Sequence, residues 1–138
     1  MMIQHFIAKE TFTHQIECFC PGNIHSTTLT INKMDILEVR EQSFTFHNGW
    51  FVQAIINNHG CFYIALEDLD QYFYQGRLIT TIDLELNLNY LQLQIDKALE
   101  KRDEELFLKS TKQLKESNAL KMQIEHFINN EVGNYYSQ

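Results

Sequence analysis

Apolar and polar residues alternate with a period close to two along the first 66 residues, the spacing typical of half-buried strands. The clearest part covers residues 36–66, where three apolar runs are separated by His47-Asn48-Gly49 and by Asn57-Asn58-His59-Gly60. Asn-Gly favours a tight hairpin because both central residues of that turn need a positive φ. The pattern predicts a three-stranded antiparallel meander over about 36–66, within a sheet of five to six strands.

The hydrophobic period changes after residue 66, and helices are expected from there on. A cluster of acidic residues starts a predicted short helix over 67–75, where the helix dipole favours negative charge; the cluster comprises Glu67, Asp68 and Asp70. The segment after Gly76 fits two structures, because its apolar residues match a strand at 82, 84, 86 and 88 and a helix at 84, 88, 91, 95 and 99. We favour a strand over 78–85 and then a helix from about 87 to 101.

Two further helices are predicted in the C-terminal third. Asp103 is a suitable N-cap for the first, because a short acidic side chain can accept a hydrogen bond from the first-turn amides. The second is expected over about 118–131, capped by Ser117 or Asn118 and ended by Gly133. The fold class is therefore α+β, with a β-rich domain over 1–85, a helical region over 86–132 and a flexible tail over 133–138.

Charge and composition exclude several classes of function. The chain of 138 residues carries 11 basic and 18 acidic residues, a net charge of −7, so it is poorly suited to neutralise the phosphates of nucleic acid. No apolar run approaches the ~18 residues of a membrane span, and no leader peptide is visible at the N-terminus. Three cysteines are too few for a secreted disulfide scaffold. A cytoplasmic protein is expected.

The helical region also resembles a known family. The resemblance to the IDEAL domain lies in about residues 88–115 and rests on Ile95-Asp96-Lys97-Ala98-Leu99, on the Arg102-Asp103 pair, and on the spacing from Phe107 to Leu114. This chain has Lys97 where the eponymous motif has glutamate. The resemblance implies two packed helices, a bacterial cytoplasmic setting, a role in interaction and no known catalysis. Within the hairpin, the expected stripes are Leu91, Ile95 and Leu99 on one helix and Phe107, Ser110 and Leu114 on the other.

Aromatic residues concentrate on the meander and on the short helix that follows it. A sheet with rings on both faces must bury one set and present the other, and exposed rings are typical of binding surfaces. The candidates for partner binding are Phe44, Phe46, Trp50, Phe62, Tyr72 and Tyr74, together with Asp96, Arg102, Asp103 and Phe107 of the hairpin. If the N-terminal strands cover the second face of the sheet, this inference lapses.

Catalytic and metal-binding patterns are weak. The best metal cluster is Cys18, Cys20 and His25, but zinc sites usually pair cysteines across two residues, not one, and two packed core thiols are the better explanation of the pair. There is no nucleophile motif and no glycine-rich phosphate loop. No cofactor and no catalytic residue are assigned, and the chain is not expected to be an enzyme.

The hypothesis from sequence is a non-catalytic, regulatory protein–protein interaction module that binds a partner protein or itself, a homo-oligomer being its simplest form. The alternative is a small-ligand binding or sensing domain with a pocket between the sheet and the helices. A metal-dependent enzyme built on Cys18, Cys20 and His25 is a third hypothesis.

Overall fold

The computed structural model describes the backbone of residues 3–17, 26–46 and 49–136. The chain divides into two compact units, Met1–Ile79 and Thr80–Gln138. Within the described residues, the first unit contains seven strands and one helix, and the second contains two helices.

The first unit is built on a five-stranded antiparallel sheet. Its strands are β1 (Ile3–Ala8), β4 (Ile36–Phe46), β5 (Gly49–Ile56), β6 (Gly60–Ala65) and β7 (Leu78–Ile79), in the spatial order β6-β5-β4-β1-β7. A separate two-stranded sheet pairs β2 (Phe12–Glu17) with β3 (Ser26–Ile31). Helix α1 (Leu66–Tyr74) follows β6 directly. The predicted α+β class, the 36–66 meander and the short helix are confirmed.

The turn between β5 and β6 shows why the meander closes where the sequence indicates. Asn57 and Asn58 both have positive φ, 48° and 63°, which asparagine tolerates better than most residues. Asn57 also ties the turn to β4, because its Oδ1 accepts from the Ile36 amide at 2.8 Å and its Nδ2 donates to Asp35 at 3.0 Å.

One face of the sheet forms the core of the first unit. Phe6, Leu37, Val52 and Ile64 lie in a single buried cluster on adjacent strands. The two-stranded sheet and α1 contribute to the same cluster through Phe12, Ile31 and Leu69. The two-stranded sheet and α1 therefore cover the same face of the five-stranded sheet, whereas the alternative considered from the sequence required the N-terminal strands to cover the second face.

The prediction of a strand over 78–85 was wrong except at its start. Only Leu78 and Ile79 form a strand, pairing with Ala8 and Ile7, and helix α2 runs from Thr81 to Lys101. The physical reason is the cap at Thr80: its Oγ1 accepts from the Asp83 amide at 3.3 Å and donates to the Asp83 carboxylate at 2.8 Å. This reciprocal cap starts the helix six residues earlier than the apolar alternation suggested.

The prediction of a separate helix over 118–131 was also wrong, because α3 is continuous from Glu104 to Tyr136. Ser117, which was proposed as a cap, is instead buried in the interior of the helix. Ser110, seven residues before it, and Ile124, seven residues after it, are buried as well. The buried stripe therefore crosses residue 117 without a change of phase. Gly133 likewise lies inside the helix instead of ending it.

Candidate functional site

The aromatic candidates of the first unit do not form one continuous surface. Phe62 is only 7% exposed and belongs to the core, so its ring is not available to a partner. Trp50 is exposed. Tyr63 of β6, which was not among the candidates, is exposed as well, but it pairs with Gln53, so its ring and that of Trp50 lie on opposite faces of the sheet. Tyr74 is fully accessible on α1. The side chains of Phe44 and Phe46 lie outside the described residues.

Tyr72 has a structural role that the sequence did not indicate. Its hydroxyl lies 2.7 Å from Nδ1 of His14, a buried residue of β2, and its ring packs against Phe12 at a centroid distance of 4.8 Å. Burial raises the pKa of the Tyr72 phenol above 10.0, and the negative charge of Asp68 raises it further, while Arg77 acts in the opposite direction. Tyr72 thus links α1 to the two-stranded sheet.

We expect Tyr72→Phe to flatten the alkaline stability profile of the first unit. The pKa of the Tyr72 phenol is higher in the folded than in the unfolded chain. Its contribution to the free energy of unfolding is therefore fully present below about pH 10 and is lost as the pH rises through the folded-state pKa. The variant should also lose about 0.5–1.5 kcal/mol at neutral pH with the hydrogen bond to His14. Urea midpoints measured on both sides of pH 10 test this.

Tyr74→Phe is the matched control, since it makes the same exchange on the same helix at a fully accessible position. If both variants lose stability above pH 10 as steeply as the unaltered chain does, the phenol of Tyr72 does not contribute to that loss.

The turn between α2 and α3 is formed by Arg102 and Asp103. Arg102 adopts a left-handed conformation with φ 54°, and two amides close α2: Arg102 N–H donates to the Leu99 carbonyl and Asp103 N–H to that of Ala98. This pair of bonds is a Schellman motif. Asp103 then caps α3, because its Oδ1 accepts from the Leu106 amide at 3.1 Å. The predicted N-cap is confirmed.

Asp96 does not join this turn. Its carboxylate accepts a hydrogen bond from Gln92, one turn earlier on α2, at 3.3 Å. Phe107 is half-buried and lines a shallow depression of about 230 Å³ beside the turn, with Leu99 and Arg102 among its neighbours. Of the predicted hairpin residues, the structure brings Arg102, Asp103 and Phe107 together and leaves Asp96 apart.

Small residues lie where the two helices approach each other. Ala98 of α2 and Ser110 and Ser117 of α3 are buried, and Asn87 Nδ2 donates to the Ser117 hydroxyl at 2.8 Å. The buried stripe of α2 consists of Leu84, Leu91, Ile95 and Ala98. The expected place of Leu99 in that stripe was wrong: Leu99 is 60% exposed because Ala98, not Leu99, completes the seven-residue spacing from Leu84 and Leu91.

A second apolar face of α2 points to solvent. It consists of Ile82, Leu86, Tyr90 and Leu93, each between 50% and 70% exposed, and we call it the α2 apolar stripe. The spacing of four, four and three residues places all four side chains on one side of the helix, roughly opposite the buried stripe. Sequence reasoning missed this surface because the alternation at 82, 84 and 86 was assigned to a strand.

The comparisons with known proteins bear on this helical unit. Residues 84–114 match the IDEAL domain family. The resemblance inferred from the sequence is thereby confirmed, and the IDEAL segment extends from the first turn of α2 to the third turn of α3. No curated protein and no solved structure matches the chain.

The IDEAL segment contains the turn and the buried stripe of α2, but not the whole α2 apolar stripe. Leu86, Tyr90 and Leu93 lie inside it, whereas Ile82 precedes it by two residues. The IDEAL domain is not a known enzyme family.

Within residues 3–17, 26–46 and 49–136 no three His, Cys, Asp or Glu side chains are grouped as a metal site. Cys18, Cys20 and His25 lie outside the described residues. None of the described helices combines the length and the apolar character that a membrane crossing requires.

Proposed function

We propose that this protein is a non-catalytic interaction module that self-associates through the α2 apolar stripe. The observation that carries the proposal is the exposure of four large apolar side chains on one side of one helix. Contiguous apolar surface of this kind on a folded protein usually marks an interaction site. The stripe spans about 16 Å, from Ile82 to Leu93, which suits contact with another helix.

A second copy of the same chain is the occupant favoured by the distribution of charge. Asp83 and Glu85 flank the stripe at its N-terminal end. In an antiparallel pair of α2 helices centred on the stripe, Asp83 and Glu85 of one copy would lie opposite the uncharged segment 90–92 of the other. A parallel pair would instead place Asp83 and Glu85 against themselves.

Sedimentation velocity over a range of protein concentrations tests self-association. The stripe is only three turns long, so we expect a reversible dimer with a dissociation constant on the order of micromolar. Each copy carries −7, and added salt should therefore tighten the dimer by screening the repulsion between copies.

The salt dependence separates this proposal from its main competitor. A basic helix of another protein would suit the acidic residues beside the stripe, and its binding would weaken with salt. A chain that remains monomeric at about 100 μM, at both low and high salt, contradicts self-association.

A further inference from the structure

The first unit contains a cavity whose lining is apolar except for three polar side chains. Its volume is about 380 Å³, at the small end of ligand pockets. The apolar walls come from β1, β4, β5 and α1 and comprise Phe6, Val39, Val52, Leu66, Leu69 and Phe73. Gln4, Arg40 and Asp70 complete the lining. A cavity of this size suits one small molecule with an apolar body.

Arg40 lines this cavity and is the last residue of β4 before the strand becomes irregular. Successive residues of a regular strand point to opposite faces, yet Val39 and Arg40 both line the cavity. The pairing of β4 with β5 shifts register between Arg40 and Ser43, as at a β-bulge. Bulges often redirect a side chain toward a functional site.

The guanidinium of Arg40 is incompletely satisfied. Its Nε is buried and has no hydrogen-bond partner among the residues that the structure describes. A buried donor without a partner is costly, and a guanidinium edge is shaped to donate two parallel hydrogen bonds to a carboxylate. The lining therefore offers a place for a carboxylate at Arg40.

Asp70 carries the opposite charge on the same cavity. It is exposed on α1, and within the described ranges no cation lies within ion-pair distance of its carboxylate. A simple carboxylate ligand would meet repulsion from Asp70, whereas a ligand with an ammonium group beside its carboxylate would complement both charges.

We infer that this cavity binds a free α-amino acid with an apolar side chain. The carboxylate would accept hydrogen bonds from Arg40, the ammonium group would face Asp70, and the side chain would contact Phe6, Leu69 and Phe73. This site belongs to the first unit and does not depend on self-association through α2.

Titration calorimetry with L-leucine tests the inference on the whole chain. We expect a dissociation constant on the order of 10–100 μM, as befits a small ligand with one apolar side chain and two charge contacts. Glycine should not bind, because it lacks the apolar side chain. 4-Methylpentanoate lacks only the ammonium group and 3-methylbutylamine only the carboxylate, and each should bind at least about 10-fold more weakly than leucine.

Two variants test whether Asp70 contacts the ammonium group of the ligand and Arg40 its carboxylate. Asp70→Asn should weaken leucine binding about 10-fold and strengthen the binding of 4-methylpentanoate, because it removes the repulsion between the two carboxylates, whereas Arg40→Met should weaken both ligands. Asp68→Asn is the matched control, an exposed acidic residue of α1 outside the lining, and should bind leucine normally. Absence of binding by leucine, valine and phenylalanine overturns the inference. So does binding of 4-methylpentanoate as tight as that of leucine, since Asp70 would then have no part in the site.

Discussion

Leu86→Glu is expected to abolish dimer formation at concentrations where the unaltered chain is mostly dimeric. Leu86 lies near the middle of the α2 apolar stripe and is 61% exposed, so the exchange should leave the fold intact. In an antiparallel dimer the new carboxylate would be buried in both copies, without a partner. A buried unpaired charge costs several kcal/mol, and the dissociation constant should rise by at least about 100-fold.

Leu99→Glu is the matched control for Leu86→Glu. Leu99 is on the same helix and is equally exposed, at 60%, but lies about 140° around the helix from Leu86. It should dimerise like the unaltered chain. If Leu99→Glu dissociates the dimer and Leu86→Glu does not, the contact surface is the depression beside the turn, and the stripe has been wrongly assigned. Circular dichroism of both variants checks that the helices remain folded.

Leu91→Ala is expected to reduce the free energy of unfolding by about 2–5 kcal/mol. Leu91 is 3% exposed and lies at the centre of the buried stripe of α2, so the exchange removes buried methyl groups and leaves a cavity. Urea unfolding, followed by helical circular dichroism, measures the change from the shift in midpoint.

The same exchange at Leu99 is the control for Leu91, because leucine and alanine have similar helix propensities and the two positions differ in burial. Leu99→Ala should cost less than about 1 kcal/mol. Equal losses at the two positions would mean that the buried stripe of α2 has been assigned to the wrong residues.

The meander could be predicted because its signals are local. Asn57 and Asn58 fix the turn through their own φ angles, and the strands on each side of it alternate regularly. The signal for the start of α3 was equally local, since Asp103 caps the helix with its own side chain. In both places the information lies within a few residues of the feature.

The errors arose where two patterns overlap. Ile82, Leu84 and Leu86 alternate as strand residues do, but in the structure they belong to two helical stripes, one buried and one exposed. The pair Thr80 and Asp83 was the sequence signal that decides between them, because it forms a helix cap. Ser117 was misread for a related reason: serine is common at caps and also at close helix contacts, and only the position of Asn87 distinguishes the two.

The cavity in the first unit could be anticipated only in outline. A pocket between the sheet and the helices was the alternative hypothesis from sequence. The observed lining, however, brings together Arg40, which directly precedes the register shift of β4, and the rings of Phe73 and Phe6, whose centroids are 6.1 Å apart. This arrangement is a consequence of tertiary packing. Nothing in the local sequence places Arg40 and Asp70 on one cavity.

The distance between spin labels in the dimer tests the central claim most directly. With the native cysteines replaced by serine, a single label is placed at Asn89 or at Lys101, both exposed positions of α2. In an antiparallel dimer centred on the stripe, the two copies of residue 89 should lie within about 20 Å and those of residue 101 about 40 Å apart. Pulsed electron resonance distances of this pattern support self-association through the stripe. Short distances at both positions, or long distances at residue 89, would contradict it.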